Sequence, residues 1–149
     1  MRRQPNMTSK KGLMSNISAA LRLLGAGVGL LGFASSLYAA DVAVDALPTN
    51  GQVVAGSATI NTAGTAAAPV MNINQTSQRA IVNWDKFDVG TNSTVNFNQP
   101  NAQASTLNKI SGNNPSQIMG KINAPGEVIL MNQQGVYFTR ESKLDVGSV

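Results

Sequence analysis

The chain has 149 residues, with 11 Lys and Arg, seven Asp and Glu, no His and no Cys. Without imidazole or thiolate it lacks donors suited to zinc or copper, and it has no base of the usual kind to activate its serines. The net charge of +4 is a matter of position: Arg2, Arg3, Lys10, Lys11 and Arg22 lie at the front, while residues 41–149 carry six basic and seven acidic side chains. The remaining bases are scattered singly, so no clustered footprint for nucleic acid exists.

Residues 1–40 are predicted to be a helical, removable signal peptide that hands the chain to the general export machinery. A basic segment ends near Lys11, an uncharged apolar run follows at 23–34, and small residues follow at 35–40. The apolar run is short of the ~20 residues that a membrane-spanning helix needs. This order of charge, apolar run and small residues is the secretory pattern. Residues 41–149 are then one domain. Having no cysteine, it must be held by packing and backbone pairing rather than by disulfides.

The domain opens with a low-complexity stretch. Thr49, Asn50 and Gly51 signal a turn, 52–56 and 57–60 read as short strands, and 61–69 reads as a Gly/Ala/Thr loop. Period-two alternation then marks half-buried strands: Met71 and Ile73 on one face, then Ala80, Val82 and Trp84, then Phe87 and Val89, then Val95 and Phe97. Leu107 and Ile110 form a weaker piece. Residues 115–122 are expected to begin with a helical turn. Ala124, Pro125 and Gly126 read as a tight turn, 127–131 as a strand, 132–135 as a turn, 136–138 as a strand, and 143–149 as the start of one more. Short strands separated by Gly and Asn turns give an all-β fold. Two features favour a solenoid over a sandwich or barrel. Phe87-Asp88-Val89-Gly90 echoes Leu144-Asp145-Val146-Gly147, and Asn, which tolerates turns and stacks in ladders, is abundant.

Little here is suited to chemistry. Asp85 and Asp88 with Asn83 come nearest to a calcium loop or a carboxylate pair, and fit solvated faces around a strand break better. Trp84, the only Trp, is assigned as a core anchor, with a sugar-stacking platform as the other reading. The triplets at Asn74 and Asn92 match a glycosylation acceptor but arise readily by chance in an Asn-rich chain. The protein is not read as an enzyme, and no cofactor or metal is assigned.

Ordered phrases point further. Leu47-Pro48 with Gln52-Val53-Val54-Ala55-Gly56, Met71-Asn72-Ile73-Asn74-Gln75, Arg79-Ala80-Ile81-Val82-Asn83-Trp84 and Phe87-Asp88-Val89-Gly90 come first. Val95-Asn96-Phe97-Asn98-Gln99-Pro100-Asn101, Asn114-Pro115-Ser116-Gln117-Ile118 and Val128-Ile129-Leu130-Met131-Asn132 follow. In this order, over residues 47–149, they resemble the secretion domain of two-partner-secreted exoproteins. These are the filamentous-haemagglutinin-like adhesins of Gram-negative bacteria, in particular the high-molecular-weight adhesin branch. The resemblance implies a right-handed parallel β-helix with an N-terminal cap. It implies an export signal, read by the periplasmic domains of a dedicated outer-membrane transporter, that nucleates folding outside the cell. A module that itself binds a host receptor or glycan at the cell surface is the alternative. It also singles out Asn132, Gln133, Gln134 and Gly135 as the transporter-recognition turn, with Asn98, Gln99, Pro100 and Asn101 as a secondary turn motif.

Two departures from the family pattern stand out. The family's turn after the strand ending at Met131 is Asn-Pro-Asn-Gly, and here its inner two residues are Gln133 and Gln134. Asn first and Gly fourth still suit a type I turn, but without the preset angle of Pro it is expected to be looser by about 0.4–1 kcal/mol. The domain is also expected to be truncated at its C-terminal end and marginally stable, because family exoproteins continue into long repetitive shafts and this chain stops inside a coil.

Overall fold

The computed structural model describes residues 41–149; the expected signal peptide lies outside them. The described residues form ten strands: β1 (Gln52–Ala55), β2 (Ala58–Thr65), β3 (Ala68–Gln75), β4 (Arg79–Trp84), β5 (Thr94–Asn98), β6 (Ser105–Ile110), β7 (Ser116–Ile118), β8 (Lys121–Asn132), β9 (Val136–Phe138) and β10 (Lys143–Ser148). They wind into an all-β, mostly parallel solenoid of roughly three turns.

The coil has three faces. On the first, β3, β5, the front half of β8 and β10 pair in parallel, so that Asn72, Asn96, Asn123 and Asp145 fall in one register column. On the second, β4, β6 and the back half of β8 pair in parallel, aligning Ala80 with Thr106 and Val128, and Trp84 with Ile110 and Asn132. The third is narrow: Val89 bridges Ile118, and β7 pairs with β9. The segment 43–65 runs antiparallel along all three faces of the first coil. Val44 and Ala46 accept N–H bonds from Asn92 and Gly90, Thr49 bridges Lys86, β1 pairs with β4, and β2 pairs with β3.

Alternation puts one side chain of every two inside. Met71, Ile73, Val82, Trp84, Phe87, Val89, Val95, Phe97, Ile118, Ile122 and Val128 make a single buried cluster. Phe87 meets Trp84 edge-on, with centroids 5.4 Å apart, and stacks on Phe97 at 6.5 Å. Such aromatic pairs add about 0.5–1.5 kcal/mol each beyond the area they bury.

Four expectations need correction. Residues 61–69 are not a loop: β2 runs to Thr65 and β3 starts at Ala68, because Gly64, at φ +83°, allows a hairpin tight enough that a Cβ there would lie 2.4 Å from the Ala68 carbonyl oxygen. Residues 115–122 hold no helical turn. They hold β7 and the start of β8, β7 being too short for its period to show. Ala124, Pro125 and Gly126 do not end a strand; β8 bends there while its partner changes from β5 to β6. The two apolar-Asp-Val-Gly phrases are not equivalent positions either, since Val89 bridges Ile118 on the third face and Val146 pairs with Ala124 on the first.

Candidate functional site

The two turn motifs occupy different corners of the coil. Residues 98–101 lead from β5 on the first face to β6 on the second, whereas residues 132–135 lead from β8 on the second face to β9 on the third. The second face separates them, at about 17–20 Å for strands of this length.

At 132–135 the backbone makes a β-turn in which the Gly135 N–H donates to the Asn132 carbonyl at 3.0 Å. Gly135 sits at φ +101°, a conformation that Gly adopts at no steric cost. The Asn132 side chain serves both sides of this turn. Its Oδ1 accepts the Gln134 N–H at 2.9 Å, and its Nδ2 donates to the Asn114 carbonyl and to Ser116 Oγ, each at 3.0 Å. It thus ties the turn to the preceding coil. Gln133 and Gln134 are exposed and border a groove with Lys109, Asn113 and Met131.

At 98–101 the roles are distributed otherwise. Asn98 Nδ2 donates to Asn74 Oδ1 at 2.8 Å on the outside of the coil. Gln99 turns inward and is 8% exposed. Its Nε2 donates to Thr106 Oγ1 and to the Glu127 carbonyl, both at 2.9 Å, and its Oε1 accepts the Gly126 N–H at 2.8 Å. Thr106 Oγ1 in turn donates to Gln75 Oε1 at 2.6 Å. Gln75 Nε2 donates to the Ser105 carbonyl at 3.2 Å, and Ser105 is the register partner of Glu127. Gln75 and Gln99 therefore reach equivalent carbonyls one coil apart, and Gln75 Nε2 also donates to the Ser77 carbonyl at 2.7 Å. Pro100 is exposed, and Asn101 Oδ1 accepts the Gln103 N–H.

Trp84 is 1% exposed, and its Nε1 donates to the buried Asn108 Oδ1 at 2.9 Å. Asn108 Nδ2 reaches the Ile129 carbonyl at 3.3 Å, so this amide also links coils. Asp85 and Asp88 are anchored separately. Asp85 Oδ2 accepts Asn50 Nδ2 at 2.6 Å, and Asp88 Oδ1 accepts the Gln117 N–H at 2.8 Å. Neither is poised as half of a catalytic pair, and no group of three His, Cys, Asp or Glu side chains lies together among the described residues.

Sequence reasoning expected Asn ladders without naming their rungs, and it missed the interior amides. On the outside, Asn96 Nδ2 donates to Asn72 Oδ1 at 3.0 Å, and Asn123 Nδ2 donates to Asn96 Oδ1 at 2.7 Å. The amides of Asn96, Asn98 and Asn123 each donate an N–H to the coil before their own. Equal phase within alternating strands was the signal available for this ladder. No comparable signal marks Thr106 or Asn108, which are polar at inward positions.

The described residues thus belong to the class of stacked-coil proteins in which polar side chains serve coil-to-coil bonding. Residues 40–149 match the family of the TPS secretion domain, and the chain belongs to that family. It is 37% identical over 103 residues to a heme/hemopexin-binding protein of Haemophilus influenzae (strain ATCC 51907 / DSM 11121 / KW20 / Rd), a match covering 69% of this chain and 11% of that protein. A second heme/hemopexin-binding protein of Haemophilus influenzae is 37% identical over 102 residues, covering 68% of this chain and 11% of its own length. Among solved structures, the HMW1 secretion domain from Haemophilus influenzae superimposes with a TM-score of 0.59 at 28% identity, over 65% of this chain and 25% of that one. The chain therefore spans about a tenth of the curated relatives it matches. As a two-partner secretion domain it is an export module of a secreted, cell-surface class of exoprotein, and not a catalytic one.

Proposed function

We propose that residues 41–149 are the address that a dedicated outer-membrane transporter reads through its periplasmic domains, after residues 1–40 have directed the chain across the inner membrane. The observation that carries this reading is the family match over residues 40–149, on a solenoid whose polar residues are spent on its own stacking. The coil is right-handed, as parallel strands joined by crossovers are in almost all cases. The antiparallel segment 43–65 caps its first turn. Outside the cell, each coil that forms buries apolar surface on the last, which favours continued outward movement.

Asn132, Gln133, Gln134 and Gly135 are the proposed recognition turn. The exposed Gln133 and Gln134 would face the transporter, held in shape by Asn132 and Gly135. The test is co-expression with the cognate transporter in a Gram-negative host, with Asn132→Ala and Gly135→Ala singly and together. Secretion into the medium is expected to fall, and to fall furthest for the double variant. Secretion at the unsubstituted level would remove this turn from the recognition surface and leave it a purely structural one.

A further inference from the structure

The hairpin of β2 and β3 differs from every other strand pair in the domain. Only Ala66 and Ala67 separate its strands. All other partners are far apart in sequence, as Val70 is from Thr94, Thr94 from Lys121, and Gln52 from Asn83. A hairpin closes within microseconds from local contacts, whereas pairing across a coil must first bear the entropy of closing a long loop. Thr65 Oγ1, accepting the Ala68 N–H at 3.2 Å, and Gly64 fix the turn without help from any coil. This is the piece of β-structure that can exist before the solenoid does.

Among the described residues its outer edge is also unguarded. Natural edge strands are blunted by charge, proline, bulges or shortness. Of the strands that border the coil, β1 has four residues and an irregular register between Val53 and Ala55, β9 has three residues, and the back half of β8 begins at the charged Glu127. Strand β10 carries Lys143 and Asp145 and slips between Val146 and Ser148. By contrast β2 ends its sheet, runs eight residues in unbroken register with β3, and holds no charged residue and no proline. Asn61 Oδ1 is taken by Asn74, and the exposed side chains beyond it, Thr62, Ala63 and Thr65, are small and neutral.

We propose that the β2–β3 hairpin is a second element the transporter grips, besides the turn at 132–135, an extended strand of its periplasmic portion adding to the free edge of β2. This rests on reading the domain as a transporter-read export signal, and adds where else it is read. Main-chain hydrogen bonds supply the affinity of such strand addition. A two-stranded hairpin alone is marginal in water and a third strand makes it stable, so binding holds this hairpin whether or not the later coils, with their turn at 132–135, have formed. The opposite edge of the hairpin, on β3, stays open to receive β5. Coils can therefore stack from β3 while β2 remains held, and the anchor need not let go for folding to begin.

The experiment measures binding of the 149-residue chain to the detergent-solubilised cognate transporter, alongside a thermal melt of each variant. Thr62→Lys with Ala63→Lys places charge on the edge at exposed positions that make no side-chain bond in the turn, and is expected to weaken binding by about tenfold or more with the melt unchanged. Hydrogen exchange on the unsubstituted complex needs no variant: amides of residues 58–65 should slow on binding while those of β6 and β9 do not. Binding of the double-lysine variant within about twofold of the unsubstituted chain, or no added protection in 58–65, overturns the proposal. If the unsubstituted chain does not bind the transporter at all, the export reading itself fails, which is a different result. If β2 protection arises without transporter, in a dimer that the lysines dissolve, the edge belongs to a second copy and the proposal is likewise overturned.

Discussion

The corner at 98–101 and the turn at 132–135 both begin with Asn, yet different side chains carry them. At the corner the second residue, Gln99, turns into the coil and bonds Thr106, Glu127 and Gly126. At the turn the first residue, Asn132, does the joining, from a half-buried position. The difference teaches that in a stacked coil the importance of an amide depends on the direction it points. An inward amide has no water to fall back on, so each of its bonds is obligatory; an outward one exchanges protein for solvent at small cost.

The sharpest way to break this comparison is Gln99→Leu. It strands the Gly126 N–H and removes one of the bonds to the Glu127 carbonyl and to Thr106, and is expected to cost about 2–3 kcal/mol, chiefly for the buried donor left unpaired. Urea unfolding would show this as a lower midpoint, and a loss under about 1 kcal/mol would mean that water replaces the amide. Asn132→Ala removes three bonds from a partly solvated site and should cost about 1–2 kcal/mol in the same assay. Were it to cost more than Gln99→Leu, the ranking by direction would be wrong.

The outer ladder offers a change in the opposite sense. Asp145 occupies the column of Asn72, Asn96 and Asn123, but a carboxyl group has no N–H to donate to the coil before it. Asn123 Oδ1 is accordingly buried without a partner. Asp145→Asn should complete the rung and raise stability by about 1 kcal/mol, seen as a higher melting temperature. The smallest effect is expected from Gln133→Pro, which presets the second position of the turn for a gain of about 0.4–1 kcal/mol. A loss there would show that the Gln133 backbone is not at the angle Pro imposes.

Much of the first two coils was legible in the sequence because their inward residues are apolar. Met71 and Ile73, Ala80, Val82 and Trp84, and Val95 and Phe97 alternate as their strands do. Strand β6 was not, because Thr106 and Asn108 point inward while Leu107 points outward. Only the register with Ala80 and Val82 on one side and Val128 and Leu130 on the other places them. The hairpin at 58–75 is legible only in part, because the Ala, Gly and Thr residues around its turn carry no alternation. As for the candidate sites, the β-turn at 132–135 followed from its Asn and Gly. The inward role of Gln99 did not, since which of four turn residues enters the core depends on the path of the coil.

The central claim is tested most directly by expressing the 149-residue chain in a Gram-negative host with and without its cognate outer-membrane transporter, and assaying the culture medium. The account expects the chain, beginning near residue 41, in the medium only when the transporter is present, and retained in the periplasm when it is absent. Equal amounts in the medium under both conditions would contradict it.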